Sequence, residues 1–104
     1  MLVTVKSREV QRGLLAEMRG DRQAASRHLM AAGHLELVLA EDYESQGEAA
    51  AAFRSRLSAA SCFWRAGEPE TAKRLCDDLK SRHPERISAV DEVAAELQRD
   101  YPTR

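Results

Sequence analysis

The sequence predicts an all-α domain of about five helices, folded as antiparallel αα-hairpins. Three observations predict it. Apolar residues recur at spacings of three and four along the chain and nowhere alternate with polar ones. Much of the 43% apolar content is alanine and only 5% of residues are aromatic, whereas a sheet requires more β-branched and aromatic side chains. Glycine and proline punctuate the pattern at Gly20, Gly47, Gly67 and Pro84, which leaves room only for tight reversals.

The first helix is predicted from about Thr4 to Arg19, where Val10, Leu14 and Met18 recur every fourth residue and Gly20 ends the run. Asp21 caps the second helix, whose stripe is Ala25, Leu29, Ala32, Leu35 and Leu39 and which reaches about Tyr43. Gly33 lies inside it at a cost of about 1 kcal/mol relative to alanine. Such a glycine marks either a close helix–helix contact or a break near His34. The third helix follows Gly47, carries Phe53, Leu57, Ala60 and Trp64 on one face, and ends at Gly67. Pro69 suits the first turn of the fourth, where its missing N–H is not needed. That helix buries Ala72, Leu75, Cys76 and Leu79, and stops before Pro84 because a residue preceding proline resists the α conformation. Ile87, Val90, Ala94, Leu97 and Tyr101 form the seam of the fifth. The predicted units are hairpins over about 4–43 and 48–83 and a last helix over 86–101.

At 104 residues the chain holds one modest core, hence one domain. Its net charge of −1 and pI near 6.3 give no general attraction to nucleic acid or to an anionic membrane. Within that balance, residues 1–29 sum to +3 and residues 30–53 to −5. Solvated helix faces of opposite sign account for this, and so does self-association or a basic partner on the acidic middle. The basic residues Lys6, Arg8, Arg12, Arg19, Arg22 and Arg27 have no interleaved aromatics for base stacking. The second helix turns acidic where a helix-turn-helix reader would be basic, so no nucleic-acid partner is expected. No run reaches the ~18 apolar residues of a membrane span, so no membrane partner is expected either. The opening "MLVTVKSREVQ" is too short in apolar residues for a signal peptide, and Cys62 and Cys76 sit in helical patterns. A reducing cytoplasm is the expected location.

The residue patterns argue against chemistry. Cys62, Cys76 and His83 stand 14 and 7 apart, with no C-x-x-C to close a zinc site, and no histidine follows a glutamate by three. His28 and His34 are six apart and belong to different helix faces. Cys76 shares a stripe with Ala72 and Leu79 and reads as a small buried hydrophobe; Cys62, flanking Phe63, is expected to be half exposed with nothing to activate it. His83 at a helix end suits a cap interacting with the dipole. Adjacent Asp77 and Asp78 diverge and cannot share a proton. The expectation is a protein without metal, cofactor or enzymatic activity.

Two stretches echo each other. "RGDRQAASRHL" from Arg19 and "AGEPETAKRLC" from Ala66 both place an acidic residue after the glycine and an alanine five positions beyond it, where antiparallel helices cross. The second hairpin resembles a tetratricopeptide repeat, with Phe63, Gly67, Ala72, Cys76 and Pro84 in the places of that motif's aromatic, turn glycine, crossing alanine, large apolar residue and closing proline. The resemblance covers residues 53–86 and, more weakly, 6–39 through Gly13, Gly20 and Ala25. Arg56 stands where the family has tryptophan, Ala60 where it has glycine, and Cys76 where it has an aromatic. The two units begin 47 residues apart rather than the 34 of a regular array. What the resemblance implies is a repeat-like stack that binds another protein or a peptide segment, with Ile87–Tyr101 as its capping helix.

On that reading the expected contact surface is Trp64 with Arg65, flanked by Arg54 and Ser61 along the third helix. Tryptophan and arginine dominate many binding surfaces, and a guanidinium can hold a carboxylate bidentately. Trp64 also continues the Phe53, Leu57, Ala60 stripe, which would place it in the core. A different outcome is a self-assembling homo-oligomer, favoured by Ala-rich surfaces, the heptad-like last helix and a core too small to satisfy every apolar stripe.

Overall fold

The computed structural model describes residues 2–102. Its helices are α1 (Leu2–Met18), α2 (Arg22–Ser45), α3 (Ala49–Arg65), α4 (Pro69–Arg82) and α5 (Ile87–Asp100), the last entered through a short 3₁₀ turn, Pro84–Arg86. Among the described residues no strand forms. Consecutive helices run antiparallel, as their contacts show. Lys6 faces Glu36 while Glu9 faces His28 across α1 and α2. Gly33 meets Phe63, and Ser26 meets Ala66, across α2 and α3.

Three turns are built alike. After α1, α2 and α3 the glycine N–H donates to the carbonyl three residues back, from Gly20 to Glu17, Gly47 to Glu44 and Gly67 to Trp64. The next N–H, of Asp21, Glu48 or Glu68, reaches five residues back to Ala16, Tyr43 or Phe63. This is the Schellman closure, which needs a left-handed residue at its fifth position. The glycines supply it, with φ of 74° at Gly20, 79° at Gly47 and 90° at Gly67. Five residues after each glycine lies a buried alanine: Ala25, Ala52 and Ala72. The echo read between two turns thus extends to the middle one, where the run of alanines hid the matching position. Asp21 adds a side-chain cap, accepting from the Ala24 N–H at 3.0 Å.

Glycine also sets how closely the helices pack. A Cβ on Gly33 would come within 2.9 Å of the Phe63 ring, so of the two readings of this glycine the close contact holds and α2 runs unbroken. A Cβ on Gly13 would lie 3.0 Å from Leu29. This second approach corrects the expected stripe of α1. Small residues, Gly13 and Ala16, are the buried ones, because only they let α1 come so near α2. Leu14 and Met18 point outward, 42% and 83% exposed.

α3 is the central helix, packed on α2 along one side and on α4 and α5 along the other. Phe53, Ala59, Ala60, Phe63 and Trp64 are buried along it, which is why its sequence carries apolar residues on more than one face. Phe53, Ala60, Cys76, Leu79 and Val90 form one core cluster; Ala59, Phe63, Trp64, Ala72 and Leu97 form the other. Ile87, assigned to the α5 seam, is 41% exposed at the junction with the 3₁₀ turn. Val90 and Leu97 make the buried contact.

Candidate functional site

The antiparallel order puts the α1–α2 and α3–α4 turns at the same end of the molecule, with the middle turn at the other. Between the two lies a cleft of about 860 Å³. Its walls are Glu17 at the end of α1, Arg22 and Ser26 at the start of α2, Trp64 and Arg65 at the end of α3, Pro69 at the start of α4, and Tyr101 with Pro102 after α5.

Side chains tie these walls together. The Trp64 indole Nε1–H donates to the Tyr101 carbonyl at 2.7 Å, and the Ser26 hydroxyl donates to the Ala66 carbonyl at 2.8 Å. The Arg65 guanidinium donates to Glu17 Oε1 at 2.6 Å and lies 4.9 Å above the centre of the Tyr101 ring. Its Nε is buried and finds no hydrogen-bond partner among the described residues. A buried donor without an acceptor is costly. Lys73 stands 5.9 Å from the Trp64 ring centre. The lining charges are Arg22, Arg65 and Glu17, a net excess of one cation among apolar and aromatic surfaces.

Of the four residues expected at a contact surface, Trp64 and Arg65 line this cleft and Arg54 and Ser61 do not. Trp64 is only 8% exposed, so it is at once a core residue and part of the cleft wall. Arg65 is half-buried. Ser61 is half-buried one turn earlier, and exposed Arg54 lies 11 residues before Arg65, about 16 Å along the helix. Sequence reasoning missed Glu17, Arg22 and Tyr101. The echoed turns were a usable signal for the first two, since matched turns in an antiparallel stack share an end. Nothing local signals Tyr101, which reaches Trp64 across 37 residues.

The remaining reactive residue types are held in structural roles. Cys62, expected half exposed, is buried, because α3 is covered on two sides. Burial, reinforced by the negative charge of Glu36, pushes its thiol up to about 11. Burial also raises the Cys76 thiol. His28 Nδ1 lies 2.6 Å from Glu9 Oε2, while His34 and His83 stack edge-on against Phe63 and Phe53. Arg56 pairs with Glu44 beside the middle turn and holds that carboxyl below its ordinary range. Among the described residues no helix is long and apolar enough to cross a membrane. Compared with protein-family models, curated proteins and solved structures, the chain matches none.

Proposed function

We propose that the chain is a non-enzymatic adaptor of tetratricopeptide-like type, which holds a segment of another protein in the cleft between its first and third turns. The observation that carries this reading is the composition of that cleft. An indole edge, a tyrosine ring and two prolines provide apolar area, and Arg22 and Arg65 stand beside them. Rigid aromatic and proline surfaces lose little entropy on binding, and guanidinium groups orient a carboxylate. The segment that fits has an acidic residue next to an apolar one.

Panning a random peptide library on the purified chain tests this. Enriched peptides should combine acidic and apolar residues and should quench or shift the emission of Trp64, the single tryptophan. Arg65→Ala should cost at least about tenfold in affinity, and the exposed Arg22→Ala less, whereas Arg54→Ala should leave binding unchanged. If peptides bind with full affinity to both Arg65→Ala and Arg22→Ala, the cleft is not where they dock.

A further inference from the structure

The guanidinium of an arginine takes a carboxylate bidentately along one of two edges, Nε with Nη2 or Nη1 with Nη2. In Arg65 the first edge is closed, because Nε is buried. Nη2, which both edges share, donates to Glu17 Oε1 at 2.6 Å. The Tyr101 ring covers one face of the group, with its centre 4.9 Å from Cζ. A carboxylate of the chain's own is therefore already seated on the arginine that would receive a ligand's.

We propose, and the proposal rests on the adaptor reading, that Glu17 is a built-in competitor for Arg65, displaced when an acidic residue enters the cleft. A second carboxylate that grips both Nη nitrogens must take Nη2 from the first, because like charges on one donor nitrogen repel. Glu17 is the partner free to leave. Its side chain is 31% exposed against 16% for Arg65, and it stands one residue before the end of α1. Once displaced it turns into water and regains its hydration. An incoming acid replaces the lost partner of Arg65 in kind, whereas an apolar segment without an acid cannot and leaves Glu17 in place. Glu17 thus sets the selectivity of the cleft.

Displacement also loosens α1. Among the described residues α1 packs on α2, and it meets α3 through the Glu17–Arg65 pair. With Glu17 released, α1 is held by Gly13 and Ala16 and by the pairs Lys6–Glu36 and Glu9–His28, all on α2. Cleft occupancy and a firmly docked end of α1 are therefore opposed, each weakening the other by the same factor.

Two measurements test this, on the acidic peptide most enriched in panning and on its counterpart with alanine in place of the acid. By Trp64 emission, Glu17→Gln should bind the acidic peptide about fivefold tighter than wild type does, and the alanine counterpart within about twofold. Hydrogen exchange separates displacement from the mere loss of a negative charge. In wild type, saturation with the acidic peptide should speed exchange of the amides of residues 15–19 by about threefold or more. In Glu17→Gln, where the tie is already cut, the same peptide should leave them unchanged. Equal affinity of wild type and Glu17→Gln for the acidic peptide overturns the competitor and leaves the adaptor reading standing. So do wild-type α1 amides that slow or stay constant on binding. A panning that enriches nothing, or peptides that keep full affinity for both Arg65→Ala and Arg22→Ala, removes the adaptor reading and this proposal with it.

Discussion

At the scale of single residues, Gly33 and Cys62 show how crowding and burial act on this chain. In an open helix Gly33→Ala would gain about 1 kcal/mol of propensity. Here the new methyl would stand 2.9 Å from the ring of Phe63, which is 2% exposed and packed in a core cluster. Overpacking of this sort costs about 1–3 kcal/mol, so the crowding wins. Chemical denaturation should show Gly33→Ala less stable than wild type, and Phe63→Leu should relieve part of that loss in a double-mutant cycle. Additive losses would mean that the two do not touch. Cys62 gives a pH dependence. Its folded thiol is raised from 9.0 to about 11, so between those values the unfolded chain gives up the proton while the folded chain keeps it. The stabilisation is full below pH 9 and fades as pH rises toward 11, by about 1 kcal/mol per pH unit. Wild type should therefore lose stability more steeply than Cys62→Ala over that range; equal slopes would show the thiol to be solvated.

At the scale of elements, α5 is held by a few deeply buried contacts. Val90 and Leu97 enter separate core clusters, and Tyr101 accepts from the Trp64 indole while lying under Arg65. Removing residues 86–104 would uncover both clusters and leave the indole N–H without its acceptor. The truncated chain should aggregate on concentration, as light scattering would register; a soluble, fully helical monomer would show that α5 is dispensable. This helix and α4 were legible in the sequence because each buries one stripe and ends beside a proline. α1 was legible as a helix but not in its orientation. Its apolar residues lie on the side away from α2, and nothing in a periodic pattern tells which face a partner takes. Gly13 and Ala16 are the deciding residues there, and small side chains leave the weakest periodic signal. The cleft was half legible for a related reason: Trp64 and Arg65 stand out by residue type, whereas Glu17, Arg22 and Tyr101 acquire their place only when distant helix ends meet.

At the scale of the whole molecule, the Cα trace measures 39 × 32 × 16 Å, a slab about two helix layers thick. In so thin a body stability is not shared evenly. α3 packs on three other helices, whereas α1 packs on one, through Gly13 and Ala16, which bury little apolar area, and meets α3 only in the Glu17–Arg65 ion pair. Burial contributes about 25 cal/mol per Å², so detaching α1 forfeits far less than exposing Phe53, Phe63 and Trp64. α1 should therefore open by itself, while amides at the centre of α3 exchange only through global unfolding. Native-state hydrogen exchange on dilute protein should find the middle of α1, around Val10–Gly13, exchanging at least about tenfold faster than Ala59–Phe63. Equal protection in dilute solution would mean that the hairpins unfold as one unit, and that the glycine contacts of α1 hold more strongly than their area implies.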